Sequence, residues 1–443
     1  MAVIAPFKGI VYNPEKIKDM ADVCTPPYDV ISKEEQEYFY RRHPYNIVRL
    51  DFGKTTENDG EDQNVFTRAA EYFRQWLNDE VLVEDPRPAF YLTAVEFDAN
   101  GEKVIRYGMI VRVGLEPFEK GIILPHERTF SKVKSERLNL IKVCHANFSP
   151  IFSLYSDPEN TVLNRLREQA GRQPAPDMSF VDSKGLGQRM WRITDEALLK
   201  SLTETMADKI IYIADGHHRY ETALNYRKWA SETLPDFNGN HPANFVMMYL
   251  SCMDEPGLTI FPAHRLLHGL DEKTLSDLIS NAEPYFDITR FIWTSEDKTD
   301  VRRKFQENLL SNHSDQTIGV AVQNRSELYL FKTKPGVMKN LFSHEIAPCL
   351  IELDVTVLTH LIFMKLMGFD MHRLDNEQLI SYSSDWEEAL DEVELNRCEA
   401  AFILNPTRIE QVKDVAEAGL IMPRKSTYFY PKVITGQVMN KLF

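Results

Sequence analysis

The segment KIIYIADGHHRYETAL, residues 209–224, predicts a buried strand that turns directly into a helix. Residues 210–213 form an apolar run typical of a buried strand, and Gly216 interrupts it. From His217 a helical period begins, with one side formed by Tyr220, Ala223, Leu224 and Ala230. A strand that leads at once into a helix is a basic unit of α/β folds, so we predict an α/β (α+β) protein.

The junction Asp215-Gly216-His217-His218-Arg219 is predicted to hold a phosphate group. A helix N-terminus presents free backbone N–H groups and the positive end of the helix dipole, and glycine lets an anion approach the backbone closely. The side chains of His217, His218 and Arg219 add donors at the same place. The spacing leaves a second interpretation open, in which Asp215 is only an N-cap and the histidines are ordinary first-turn residues.

Motifs of other phosphate and metal sites are absent from the sequence. Neither GxxxxGK[ST] nor GxGxxG occurs. Adjacent helix residues point about 100° apart, so His217 and His218 are poorly placed to share a zinc ion. The cysteines are odd in number and scattered, which fits neither a disulfide framework nor a zinc knuckle.

Length and charge limit the class of protein. A chain of 443 residues with 43% apolar side chains is expected to form two or three packed units. The formal charge of -15 repels a polyanion, so no nucleic-acid partner is expected. No signal segment and no apolar run long enough to cross a bilayer is found, which predicts a soluble cytoplasmic protein without a membrane partner.

Changes of period predict a sheet in the first part of the chain and a separate, smaller α+β unit at its C-terminal end. Alternation over 89–97 and 104–113 predicts a hairpin, and the apolar run 244–253 predicts a buried strand. The polar stretch 121–150 is expected to lie outside the core. Helices are expected near 271–282, 297–310 and 355–367, with a hairpin across 324–326. We therefore predict domains 1–270 and 271–443, the second packing on the site.

The turn at 215–219 resembles the phosphate-binding turn of the ParB/sulfiredoxin superfamily. Free serine kinases have Asp-Gly-His-His-Arg there, as this chain does, whereas sulfiredoxins have Gly-Cys-His-Arg and the DNA-partitioning branch has Gly-Glu-Arg-Arg. His217 takes the place of the sulfiredoxin cysteine, which excludes the sulfur chemistry of that branch. The resemblance implies a ParB/sulfiredoxin-like mixed-sheet core.

Nearly the whole chain also resembles the family catalogued as domain of unknown function 1015. Besides the turn, the resemblance rests on blocks at Pro26–Val30, His126–Phe130, Asn147–Phe152 and Pro423–Thr427. Members of that family often lie beside serine-biosynthesis genes, which implies a small amino-acid-like substrate.

The basic segment 126–137 is predicted to fold over the same pocket. Phosphoryl transfer to a hydroxyl needs a carboxylate or imidazole aimed at the attacking oxygen, so Glu127 is the first candidate for a general base. A shared site requires Glu127 within about 15 Å of His217. His126 and Arg128 are candidate phosphate ligands. The alternative that stays open is a solvated loop whose charges pair with one another.

Further candidates each have a structural alternative. Asn147 and Ser149 could position a substrate carboxylate or cap a turn. Tyr28 and Asp29 follow two prolines and could line the substrate site or form a turn. Lys425 could bring a cation to a phosphate, although its segment lacks the glycines of a phosphate loop.

These residues and the resemblance predict a kinase that acts on a small hydroxyl-bearing metabolite, with free serine the first to test. The donor would be a nucleotide or pyrophosphate, with Mg²⁺ bound mainly through the donor phosphates. Asp215 would orient Mg²⁺ or the substrate, and His217 or His218 would stabilise charge on the transferring group. The rival hypothesis is a nucleotide-sensing regulator without turnover. A DNA-partitioning protein or nuclease is disfavoured by the acidity. The oligomeric state is left open, with a homodimer among the alternatives.

Overall fold

A computed structural model describes residues 1–99, 101–129, 131–294, 296–312 and 315–443. Phe130 and the side chain of Lys132 in the basic segment lie outside the described residues. The chain forms two compact units, residues 1–259 with 429–443 and residues 260–428. The predicted boundary near residue 270 differs from this division, because a strand before that point already pairs within the sheet of the second unit and the tail returns to the first.

The strands are mostly short. In chain order they are β1 Ile4–Ala5, β2 Ile10–Tyr12, β3 Leu82–Glu84, β4 Phe90–Ala99, β5 Glu102–Gly114, β6 Ile123–Leu124, β7 Ala146–Asn147, β8 Ile151–Tyr155, β9 Met178–Val181, β10 Gly187–Ile193, β11 Ile211–Asp215, β12 Phe245–Cys252, β13 Thr259–Phe261, β14 His264–Leu267, β15 Phe286–Ile292, β16 Thr317–Val322, β17 Glu327–Thr333, β18 Ile380–Ser383, β19 Ala400–Ile403, β20 Tyr428–Tyr430 and β21 Asn440–Lys441.

The helices flank these strands along the chain. They are α1 Lys33–Arg42, α2 Val48–Asp51, α3 Val65–Asn78, α4 Ser131–Cys144, α5 Thr161–Ala170, α6 Glu196–Met206, α7 His217–Thr233, α8 Glu272–Ala282, α9 Lys298–Ser311, α10 Val337–Phe342, α11 Pro348–Ile351, α12 Asp354–Thr356, α13 Met371–Leu374, α14 Trp386–Glu394 and α15 Ile409–Glu417, with a π-helix at Val357–Leu366. Within the described ranges, no helix combines the length and the apolar character that crossing a bilayer requires.

The first unit is organised by a mixed sheet, which confirms the predicted α/β class. Its described strands run in the order β6-β11-β8-β12-β5-β4-β10-β9, and β1 pairs with β5. β6 is parallel to β11 and β8 is parallel to β12, while the other neighbours are antiparallel. The predicted hairpin is β4–β5, and the predicted buried strand is β12, whose residues from Val246 to Cys252 are all buried.

The strand–helix junction at 215–217 forms as predicted. β11 is buried at Ile211 and Ile213, and α7 begins at His217 with Tyr220 and Ala223 packed in the same core. The pairing of β11 with β8 shifts register between Ile213 and Asp215, and such an irregularity re-aims the residues that follow it. The core therefore fixes both sides of the turn, and the turn itself lies at the end of a strand inside the sheet.

The expectation that the stretch 121–150 stays outside the core is wrong, since Ile123 and Leu124 of β6 are buried and so is one face of the helix that follows. α4 occupies Ser131–Cys144, and its residues Leu140, Ile141 and Cys144 are buried. These apolar positions share one helical face, which packs towards α3 and α7. Charged residues that interrupt this face in the sequence, such as Arg137, had masked the pattern.

The second unit is an α+β arrangement around its own sheet. Among the described residues of that unit, the strand order is β15-β17-β16-β19-β14-β18, and all of these pairs are antiparallel. The predicted helices near 271–282 and 297–310 are confirmed by α8 and α9, and the predicted hairpin by β16–β17. The helix expected near 355–367 is present as α12 followed by the π-helix.

Candidate functional site

Gly216 makes the turn at the start of α7 in a conformation that other residues rarely adopt. Its φ of 97° is left-handed, and a Cβ atom at this position would lie 2.8 Å from Nε of Arg219. Glycine is therefore required both by the backbone and by the space. The first N–H groups of α7 have no carbonyl partner within their own helix, so the turn presents donors at the positive end of the helix dipole.

Asp215 lies between two cations at this turn. Its Oδ2 accepts a hydrogen bond from Nη2 of Arg219 at 2.8 Å, and its Oδ1 accepts one from Nζ of Lys432. Burial by itself would raise the pKa of Asp215, but the Lys432 ammonium and the Arg219 guanidinium outweigh it and hold the pKa well below its usual range. Asp215 is therefore ionised, and its main contact role is to hold the two cations in place.

Arg219 is also held by a backbone carbonyl just before β8. Its Nη1 donates to the Pro150 carbonyl at 2.6 Å, and its side chain is only 9% exposed. Burial would lower the pKa of the guanidinium, yet the carboxylates of Asp215 and Asp29 outweigh this and raise it. A cation held by two directed contacts loses little further freedom when it binds an anion.

His217 connects the turn to the basic segment. The backbone N–H of His126 donates to Nε2 of His217 at 3.3 Å, and Nδ1 of His217 lies 3.8 Å from Oε2 of Glu127. Burial and the neighbouring His126 lower the pKa of His217, so the ring is neutral with its proton assigned to Nδ1. The proximity expected for Glu127 and His217 is confirmed.

His126 is placed inside the fold. Its side chain is fully buried, with its ring edge-to-face against His217 at 4.8 Å and near Phe429 at 6.3 Å. Burial lowers the pKa of His126 to about 4, although a hydrogen bond with the Ile213 carbonyl opposes the change. The neutral, buried imidazole of His126 packs against the ring of His217 and helps to fix its position. Direct phosphate binding by His126 stays a prediction.

The charges of the basic segment pair with other elements of the first unit. Lys134 and Thr129 both contact the carboxylate of Glu221 on α7, at 2.5 and 2.6 Å. Arg137 donates to the Asp51 side chain at 3.1 Å and to its backbone carbonyl at 2.7 Å. These pairs attach α4 and the preceding loop to α7 and α2. Arg128 is exposed.

His218, Tyr28 and Asp29 lie around the same group of charges. The Tyr28 ring packs on the Arg137 guanidinium at 4.0 Å, and burial raises the pKa of Tyr28 to about 12. Burial lowers the pKa of the half-buried His218, and the charges of Glu221 and Asp29 oppose this. Asp29 is exposed and also raises the pKa of Arg219, so it lies within electrostatic reach of the turn.

Asn147 and Ser149 have different surroundings. Oδ1 of Asn147 accepts hydrogen bonds from the Met247 N–H at 3.2 Å and from Nδ2 of Asn440 at 3.0 Å, which is a structural tie between three segments. Ser149 is buried, and its hydroxyl helps to lower the pKa of Asp51 against the larger effect of burial, which raises it. Ser149 therefore belongs to the polar surroundings of Arg219, while Asn147 has the bonding of a structural residue.

Lys425 belongs to the second unit. It has a left-handed φ of 55°, and its carbonyl accepts a hydrogen bond from Nη2 of Arg265 at 3.0 Å. Its assignment to phosphate binding stays a prediction.

Sequence reasoning missed three residues at the site, namely Lys432, Asp51 and Glu221. Lys432 lies in the otherwise apolar and aromatic run YFYPKVI, 428–434, and a lysine in such surroundings usually has a buried partner. That signal could have marked Lys432 as a paired cation. Asp51 and Glu221 occur in ordinary amphipathic segments and carry no comparable signal.

The described residues contain carboxylates that could each bind a metal ion, but no cluster of several metal ligands. No group of three or more His, Cys, Asp or Glu side chains that could hold a metal is found among them. Both oxygens of Asp215 accept hydrogen bonds from cations, so a metal ion at Asp215 would have to displace one of them. Any Mg²⁺ at this site would consequently depend on phosphate oxygens for most of its ligands.

Comparisons with known proteins give one family match. A family model described as "Protein of unknown function (DUF1015)" matches residues 4–356. The comparison with curated proteins returned no match.

Several solved structures align over most of the chain at low identity. One is a conserved hypothetical protein from Pyrococcus furiosus, with 11% identity and a TM-score of 0.33, covering 76% of this chain and 95% of that chain. Another is a free serine kinase in complex with AMP, with 12% identity, a TM-score of 0.34, and 76% and 91% covered. A third is SbnI with a C-terminal truncation from Staphylococcus aureus, with 11% identity, a TM-score of 0.32, and 73% and 85% covered. Because these TM-scores are low, we draw no conclusion about this chain from them.

Proposed function

The chain belongs to the DUF1015 family, and on that premise we propose that it is a small-molecule kinase. It would transfer a phosphoryl group from a nucleotide or pyrophosphate to a hydroxyl-bearing metabolite, with free serine the first acceptor to test. The likeness of its Asp-Gly-His-His-Arg turn to that of free serine kinases supports this choice.

The observation that carries the proposal is the convergence of cations and backbone donors at one turn. Arg219 and Lys432 are held there by Asp215, and the N-terminus of α7 adds the positive end of its helix dipole. Phosphoryl transfer depends on such fixed positive groups, because negative charge is spread over the transferring phosphate oxygens. A glycine at the centre leaves room for a phosphate against the backbone.

Glu127 supports a reaction as well as binding. It is 31% exposed, and the Nδ1–H group of His217 lies 3.8 Å from its carboxylate. In the proposed step Glu127 takes the proton of the acceptor hydroxyl while that oxygen attacks the terminal phosphorus of the donor. The bond from this phosphorus to its bridging oxygen breaks, and the electron pair leaves with the shortened donor. His217 and His218 would orient the reacting groups from the turn.

Mg²⁺ is proposed to enter with the donor phosphates, since the described carboxylates form no metal cage. When bound, it supplies positive charge to the phosphate oxygens. Asp215 could orient it only by releasing one of its two cations, whereas the exposed carboxylate of Asp29 could add a ligand directly.

The test is a screen of purified full-length protein. ATP, ADP and pyrophosphate are each combined with Mg²⁺ and with serine, threonine, homoserine or glycerate, and phosphorylated product is read by mass spectrometry. The Glu127→Gln variant is the matched control for contaminating kinases. Product from one donor and acceptor pair, lost in the variant, would support the proposal. Nucleotide binding without product from any pair would contradict it and favour the sensing regulator.

A further inference from the structure

A small cavity lies next to the turn, and Arg219 forms part of its lining. Its volume is about 50 Å³, and its polar lining consists of Asp51, Arg137, Asn147, Ser149, Arg219 and Thr222. All these residues belong to the first unit. A single water molecule needs about 10–15 Å³ of such accessible space, so the cavity has room for a small polar group of a ligand.

Asp51 lines this cavity and has an unsatisfied side-chain oxygen. Its side chain is 6% exposed, and Oδ1 accepts from Arg137 at 3.1 Å. Its Oδ2 is buried and has no hydrogen-bond partner within the described part of the chain. A buried carboxylate oxygen without a donor is costly, and such atoms in folded proteins usually have a partner.

Thr222 provides a second unsatisfied group at the same cavity. It lies on α7 one turn after Arg219, and it is 3% exposed. Its Oγ1 has no hydrogen-bond partner among the described residues either. Two such atoms on α2 and α7, which line one cavity together, indicate that the site is built for a molecule that brings its own donors.

We propose that this cavity binds the ammonium group of the acceptor, so that the acceptor is a small primary amine that also carries a hydroxyl. The ammonium group would donate to Oδ2 of Asp51 and to Oγ1 of Thr222. Arg137 is already paired with Oδ1 of Asp51, and Arg219 is paired with Asp215. The other oxygen of Asp51, Oδ2, is therefore the strongest acceptor in the cavity. This inference rests on the proposed function only in identifying the bound amine as the phosphoryl acceptor.

Binding measurements that require no turnover test the ammonium site independently of the kinase proposal. Calorimetry on the full-length protein would compare ethanolamine and serine, which have both groups, with glycerate, which has the hydroxyl but no amine. We expect the two amines to bind at least tenfold more tightly than glycerate. Equal binding of glycerate and the amines would overturn the inference.

Thr222→Val is the sharpest variant, because it removes a buried hydroxyl that has no partner among the described residues. It should leave the melting temperature unchanged or raise it, while ethanolamine binding weakens at least fivefold and AMP binding stays the same. Thr222→Ser should restore ethanolamine binding. Thr317→Val is the matched control, since Thr317 is likewise buried with an unpartnered Oγ1 in the described part of the chain but lies in the second unit.

Asp51→Asn tests the charge, although it also weakens the pair with Arg137. Loss of ethanolamine binding in Thr222→Val and in a folded Asp51→Asn variant would support the inference, and unchanged binding in Thr222→Val would refute it. If the amines bind through these residues but the screen yields no phosphorylated product, the kinase proposal fails and the ammonium site stands. If product forms with glycerate as readily as with serine, the ammonium site fails and the kinase proposal stands.

Discussion

Lys432 donates a hydrogen bond to Oδ1 of Asp215, although 217 positions of sequence separate the two residues. Arg219 binds the other oxygen of the same carboxylate at 2.8 Å. The C-terminal tail therefore completes a charge arrangement whose other members lie within five consecutive residues. Burial would lower the pKa of Lys432, but Asp215 and Asp29 outweigh it and raise it, so the ammonium stays charged.

Lys432→Met should lower the free energy of unfolding by about 3 kcal/mol, because it leaves a buried carboxylate oxygen without its cation. Urea denaturation of the full-length protein gives this value. The charge-preserving Lys432→Arg variant is the control and should lose less. A loss under about 1 kcal/mol, as expected for an exposed ion pair, would show that the pair with Asp215 is solvated.

Gly216→Ala should destabilise the protein and weaken AMP binding together. A left-handed backbone costs a residue with a Cβ about 1–2 kcal/mol, and the new methyl group would push against Nε of Arg219. Gly60→Ala is the matched control, since a Cβ atom added at Gly60 would meet no described atom within 4 Å and its φ is not left-handed. Equal melting temperatures for the two variants would argue against the role given to Gly216.

Arg219→Ala should weaken ADP or AMP binding by about 1.5–3 kcal/mol, the usual size of a charge-assisted hydrogen bond. Calorimetry measures this directly. Arg219→Lys keeps the charge but loses the two-pronged contact to Asp215 and Pro150, so an intermediate affinity is expected. An unchanged affinity in the alanine variant would remove Arg219 from the anion site.

Glu127→Gln should keep nucleotide affinity and lower kcat by about 10²–10⁴-fold, because the amide cannot accept the acceptor proton. Steady-state kinetics and calorimetry on this one variant separate the two effects. If Glu127 only pairs with a nearby cation such as Arg128, the rate should stay within about threefold of the wild type. A normal kcat would exclude Glu127 as the base.

Acidification should destabilise the protein between about pH 6.5 and 4. His126 is neutral in the fold down to a pKa of about 4, lowered by burial from 6.5, so in this window the unfolded chain binds more protons than the folded one. Stability therefore falls as pH falls. The free energy of unfolding, measured by urea denaturation at several pH values, should fall less steeply with pH in His126→Phe. The difference in slope should be up to about 1.4 kcal/mol per pH unit. An identical slope would contradict the burial of a neutral imidazole.

Local patterns were sufficient for the strand–helix junction and for most of the secondary structure near it. The apolar run before Gly216 and the helical period after it depend only on residues close in sequence, and both are present in the fold. The helix α4 was missed because the charges of Lys134 and Arg137 interrupt its apolar face in sequence. Those charges bind Glu221 and Asp51, and no local period identifies such partners.

The sequence by itself determined the turn: Gly216, the N-terminus of α7 and the donors beside them follow from the steric freedom of glycine and the geometry of helix ends. Only the tertiary structure decided which charges meet there. The pairing of β7 with β21 and the bridge from Ile10 to Met439 anchor the C-terminal tail that carries Lys432, and α4 packs against α7 with Lys134 bound to Glu221. The partner of a buried charge is chosen by long-range packing, because the cost of burying it is met by whichever opposite charge the fold brings within a few ångströms.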